Sequence, residues 1–166
     1  LEIHPLPGGG LLVEHIPAAL VTILRTVPAI LSGLDPYSEG PLFPRAFEDD
    51  EEEAQWKRYA RPDLAHLFQT RLEVIAGDLA GMELQEDGCG PGEEESFRLV
   101  IPAGHEAAWL AGLNAVRLFI YTKLKFSPEE MKLEPQELED PAKALALFEI
   151  QALAVFQQAI LESTQG

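Results

Sequence analysis

The residues of this sequence best placed to do chemistry are polar groups set into apolar helix faces. Glu149 has Leu145 and Leu153 one turn away on either side, and Phe156 and Ile160 continue that face. Arg117 lies between Leu110 and Leu113 on one side and Tyr121 and Leu124 on the other, with Asn114 one turn away. An unpaired buried charge is costly, so both residues predict a partner. The economical arrangement is Arg117 bound to Glu149 across a helix interface, with Asn114 and Tyr121 completing the hydrogen bonds. Arg71, beside Phe68 and Ile75, is the competing partner for Glu149. This cluster has two chemical readings. One is an ion pair that fixes helix register. The other is an anion or carboxylate pocket built on Arg117, in a ligand-binding protein or a small enzyme. A lone carboxylate and guanidinium specify no reaction, so the pair reads first as structural.

The remaining reactive side chains do not assemble into a known device. His4 and His15 are placed to face each other across an N-terminal hairpin, with no third ligand beside them. His66 and His105 fall near helix starts. No His-x3-His or Cys-x2-Cys spacing exists, so neither a structural zinc nor any other cofactor is expected. Gly8-Gly9-Gly10 lacks the Lys and Ser/Thr ending of a phosphate loop and reads as a turn. Cys89, between two glycines, has nothing near it to lower its pKa and reads as an incidental thiol. No Ser, His and acid stand in a nucleophile motif. Trp56 and Trp109 sit among apolar neighbours and read as packing residues.

The elements that must position these residues follow from punctuation and periodicity. Residues 1–16 alternate around the glycine turn as a β-hairpin. Pro17 opens a helix with an apolar stripe of Leu20, Ile23, Leu24, Val27 and Leu31, which Pro28 should kink or split and Gly33 ends. Leu42 and Phe43 are core anchors in a Pro- and Gly-rich loop. Asp49 or Asp50 caps a short helix over 51–59, and Pro62 opens another that runs to about Ala80. Residues 83–102 form a second hairpin with a loose acidic turn. A long helix follows over 105–125, then a capped turn at Phe126-Ser127-Pro128-Glu129-Glu130, broken by Pro135. Asp140 and Pro141 start the last helix. Only Glu149 and Gln151 are polar between Ala144 and Phe156, which predicts a helix at the centre of the bundle. The organisation is one domain over 1–166: a hairpin at 1–16, helices over 17–81, a hairpin at 83–102 and a helical hairpin over 104–163.

Charge narrows the classes of partner. The 166 residues carry a formal charge of −16, and the stretches Glu48–Glu53 and Glu83–Glu95 hold 12 of the 28 acids. Nucleic acids and anionic membranes are recognised through Lys and Arg, so neither is expected as a partner. Both acidic stretches read as solvated, one a helix start and the other a loop. The apolar runs are interrupted by charges or proline and read as falling short of a membrane span. One cysteine excludes an internal disulfide, and no signal segment is visible, so the expected location is the cytoplasm.

Two stretches carry a resemblance. One is Leu42-Phe43-Pro44 with Ala46-Phe47 and the acidic run after it. The other is Ala108-Trp109-Leu110-Ala111-Gly112-Leu113-Asn114-Ala115-Val116-Arg117-Leu118. With the apolar last helix, they resemble an uncharacterised bacterial domain family of unknown function, best represented in actinobacteria. Its members are often encoded beside the adaptor of the Clp protease, which implies a link to regulated proteolysis. The resemblance implies no catalytic residue.

The expected fold is α+β and mainly helical, a bundle of about five helices with one or two small β-hairpins at an edge. The function reads as a non-enzymatic interaction or regulatory domain with a protein partner of basic character. The rival reading is a ligand-binding protein or enzyme around Arg117 and Glu149.

Overall fold

A computed structural model describes residues 1–35, 40, 42–85 and 95–165. Cys89 and the acids between Gln85 and Glu95 lie outside these residues. The described chain folds as five α-helices and one four-stranded antiparallel sheet, so the α+β, mainly helical expectation holds.

The two hairpins join. β1 (Glu2–Pro5) pairs with β2 (Leu11–Pro17), and β3 (Glu83–Gln85) pairs with β4 (Ser96–Ile101). β2 and β4 then pair with Leu11 opposite Ile101 and Val13 opposite Leu99, giving the order β1-β2-β4-β3. The glycine turn works as expected, with Gly8, Gly9 and Gly10 all at positive φ. A Cβ on Gly10 would stand 2.6 Å from the Ile101 carbonyl oxygen, so only glycine lets the strands meet there. The register slips between Val13 and Ile16, where His15 adopts φ 53° and its N–H donates to Gln85 Oε1 at 2.6 Å. The extra residue returns Ile16 to the buried face that Val13 occupies. It also separates the two histidines expected to face each other: His4 lies opposite Leu12 and beside Glu2.

α1 (Ala18–Ser32) runs unbroken through Pro28, contrary to the expected split. Its buried stripe of Val21, Ile23, Leu24, Val27 and Leu31 holds it on the core across the proline. α2 (Asp50–Tyr59) is capped by Asp49, whose carboxylate accepts from the N–H groups of Glu51 and Glu52. α3 (Arg61–Ala80) has Pro62 in its first turn and ends at Gly81. α4 (Glu106–Lys123) and α5 (Pro141–Gln165) form the helical hairpin. Between them Ser127 and Glu130 cap each other reciprocally, and short 3₁₀ turns follow at Glu130–Lys132 and Pro135–Glu137. Asp140 Oδ1 accepts from the Ala142 N–H at the start of α5.

The core lies where α1, α3, α4 and α5 meet the sheet. Trp109 is fully buried and its ring meets Phe156 edge-on at 5.8 Å. α5 is not central, however. Leu147, Ile150, Leu153, Phe156 and Ile160 are buried, but Leu145, Phe148 and Val155 are exposed. Apolarity around the whole helix therefore reflects two separate apolar faces. By length and composition, Pro141–Thr164 could also cross a membrane, which corrects the expectation that every apolar run falls short.

Candidate functional site

α4 and α5 pack antiparallel, and that register decides the fate of Arg117. Its Nη1 donates to Gln157 Oε1 at 2.6 Å, and Gln157 Nε2 donates onward to the Leu110 carbonyl at 3.1 Å. Gln157 thus bridges two turns of α4. Burial pushes the Arg117 guanidinium below its ordinary value, and its Nε is buried without an acceptor among the described residues. Arg117 does not pair with Glu149. Glu149 stands two turns before Gln157, in a cleft of about 260 Å³ lined by Phe119, Ile120, Lys123 and Leu124 at the far end of α4. Sequence periodicity places both residues on inward faces, but the relative slide of two helices depends on the connection at 124–140.

The other members of the expected cluster disperse. Asn114 is exposed. Tyr121 is half-buried and stacks on Phe126, with centroids 6.3 Å apart. Arg71 is half-buried on α3 and reaches none of the other four. The expected pocket of five converging residues is therefore not built. A double-mutant cycle checks the new pairing. Arg117→Met and Gln157→Leu should couple by about 1 kcal/mol, the value of a charged hydrogen bond reduced for partial exposure. Arg117→Met and Glu149→Leu should add to within about 0.5 kcal/mol. The reverse pattern in denaturant titrations would restore the Glu149 pair.

The fold assembles a different polar group that the sequence did not single out. Asp78, one turn from the end of α3, has a side chain only 7% exposed. Oδ2 accepts from Trp109 Nε1 at 2.8 Å, and both oxygens lie 3.0 Å from His105 Nδ1. A carboxylate only accepts, so Nδ1 bears the proton and Nε2 is the acceptor nitrogen. An imidazole oriented in this way suits general-base or ligand chemistry. Its packing role is plainer, since Asp78 ties the end of α3 to the first turn of α4. The available signal was the spacing of His105 and Trp109 on one helix face. Nothing in the sequence pointed to Asp78 as their partner. Among the described residues no group of three His, Cys, Asp or Glu is placed to hold a metal ion.

A second missed pair lies under α2. Glu53 and Arg61 are 3% and 1% exposed. Glu53 Oε2 accepts from the N–H groups of Ala46 and Phe47 at 2.9 and 3.1 Å, and Oε1 faces Lys57 Nζ at 3.5 Å. Arg61 lies over the Trp56 ring at 5.4 Å and reaches the Phe43 carbonyl at 3.4 Å. Together they fix the loop at Phe43–Phe47 against α2. The solvated reading of the first acidic run therefore holds for Glu48–Glu52 and fails for Glu53, which the helix turns inward.

Burial raises the Glu53 carboxyl, but the N–H groups of Phe47 and Ala46 and the Lys57 ammonium outweigh it and hold it below its ordinary value. The sign of the pH dependence follows. The contribution is full above the unfolded value, about 4.3, and is lost as pH falls through the lower folded value. Glu53→Gln should therefore flatten the acid limb of stability below about pH 4.3. Parallel wild-type and variant curves over that range would count against the assignment.

Beside this loop the surface opens into a cleft of about 400 Å³ lined by Phe47, Glu52, Gln55, Trp56, Tyr59 and Ala60. Phe47 is 42% and Tyr59 70% exposed, next to the exposed acids Glu48–Glu52.

The family model described as Domain of unknown function (DUF2017) matches residues 14–164, and the chain belongs to that family. No curated protein and no solved structure matches it.

Proposed function

We propose that this DUF2017 domain is a non-enzymatic interaction module that docks a basic protein segment along the edge formed by α2. The observation that carries this reading is the cleft at Phe47, Trp56 and Tyr59, bordered by exposed acids. Exposed aromatic rings supply contact area at low entropic cost, and the acids steer a cationic partner to them. Glu53 and Arg61 hold the loop and Trp56 in place beforehand, which reduces the ordering cost of binding. The rival reading, a pocket around Arg117, is disfavoured by the engagement of Arg117 with Gln157. The sequence resemblance to an actinobacterial family encoded beside the Clp protease adaptor supports regulated proteolysis as the process. The single cysteine supports the cytoplasm as the place.

The test is capture from native cytosol at about 0.05 and 0.5 M salt, a range over which exposed charges become screened. Wild-type protein is compared with Glu51→Lys/Glu52→Lys and with Tyr59→Ala. A bound protein lost at high salt and lost from both variants is the expected result. Capture that ignores salt and both variants would overturn the reading, as would saturable binding of duplex DNA or anionic vesicles at physiological salt.

A further inference from the structure

α5 carries a second apolar face that the domain's own core does not use. Leu145, Phe148, Ala152, Val155 and Ala159 recur at alternating intervals of three and four, the spacing of a coiled-coil seam. Leu145 is 61%, Phe148 46% and Val155 64% exposed. The helix is straddled by two apolar stripes, and only the stripe of Leu147, Ile150, Leu153, Phe156 and Ile160 is covered.

Charge indicates what covers the other one. The chain carries −16, yet no charged residue lies between Ile150 and Leu161 on α5. A twofold contact sets a patch against its own copy, so an acidic patch would meet like charge and a neutral one would not. Residues Gln151 and Gln158 flank the seam, and Gln158 bonds to Glu162 at 2.8 Å. A side-chain amide both donates and accepts, so it can pair with its own symmetry mate, as a carboxylate cannot. A cationic partner would find nothing on this face to draw it. Size is also self-complementary. An antiparallel copy related by a dyad between Leu153 and Ala154 sets Phe148 against Ala159 and Val155 against Ala152, large against small at each level.

We propose that the exposed Leu145–Ala159 face of α5 seats α5 of a second copy of this chain, antiparallel, as a twofold homodimer. The proposal does not rest on the α2 cleft, and salt separates the two. Screening relieves repulsion between two acidic copies and so strengthens the dimer, while it weakens docking of a basic segment.

Sedimentation equilibrium on the full chain, from about 1 to 200 µM and at about 0.05 and 0.5 M salt, tests it. The expected mass approaches twice the 18.3 kDa of one chain, with tighter association at the higher salt. Phe148→Glu and Val155→Glu should each weaken the dimer about a hundredfold, because like charges then meet across the dyad. Both sites are exposed, so the circular dichroism melt should be unchanged. Ala159→Glu, facing Phe148, should act in the same direction. The Glu51→Lys/Glu52→Lys protein should remain dimeric, so failure of the α2 reading leaves this one standing. A monomeric mass throughout would overturn the proposal, and so would a dimer indifferent to Phe148→Glu and Val155→Glu. Partition of monomeric protein into phosphatidylcholine vesicles, abolished by Val155→Glu, would give the face to a membrane and also overturn it.

Discussion

Replacing Trp109 with alanine should remove about 3–5 kcal/mol of unfolding free energy, the range for truncating a fully buried Trp or Phe. Trp109 is 0% exposed, meets Phe156 edge-on and donates to Asp78. The loss has two parts, and Trp109→Phe separates them. Phenylalanine keeps much of the apolar volume but removes the indole donor. Asp78 then keeps only its contact to His105, and the cost should fall to about 1–3 kcal/mol. Asp78→Asn leaves an amide oxygen for the indole and should be milder than Asp78→Ala. Urea titrations read these values as midpoint shifts at constant slope. An alanine variant within about 1 kcal/mol of wild type would mean that Trp109 does not anchor α4, since buried truncations cost more.

The second large effect is expected at Gly112, where α4 crosses α3 and α1. A Cβ there would stand 2.4 Å from Ile75 Cδ1 and 3.4 Å from Leu31 Cδ1. Alanine in place of an interior helical glycine normally stabilises by about 1 kcal/mol. Here the collision should reverse the sign, since overpacking a tight core costs about 1–3 kcal/mol. The colliding atom is the methyl that Ile75→Val deletes. Ile75→Val alone should cost about 0.5–1.5 kcal/mol, and the double variant should be no worse than that single. Gly112→Val should find no such rescue, because its branched methyls extend further. Strict additivity of Gly112→Ala and Ile75→Val in thermal melts would show that the crossing relaxes elsewhere.

How far the sequence discloses this structure depends on the range over which each feature is decided. Local features were legible. Asp49, Asp140, Gly33 and Gly81 bound their helices because capping is settled within a turn. The glycine turn and the alternation of Leu11, Val13, Leu99 and Ile101 gave the hairpins. Features that compare distant elements were not legible. The slide of α5 along α4 brings Gln157 rather than Glu149 to Arg117, and a periodicity of 3.6 carries no information about slide. Glu53 looked like its five acidic neighbours because its burial depends on the loop at Ala46 and Phe47 folding over it. Asp78 became a partner only when α3 and α4 crossed. The second apolar face of α5 was visible as composition, but composition alone does not distinguish a buried helix from one with two faces.

The order of the strands also bears on how the chain is made. β2 finds its partner only when Leu11 meets Ile101 and Val13 meets Leu99. Translation proceeds at about 5–20 residues per second, so the N-terminal hairpin waits roughly 5–20 s before β4 exists. Through that interval Leu11, Val13 and Ile16 have no strand to cover them, although all are buried at the end. Closing so long a loop is slow compared with forming the helices made meanwhile. α1 to α3 therefore emerge first, and the sheet closes late in synthesis. Nascent chains stalled before Ser96 should accordingly be the ones that chaperones hold and proteases cut.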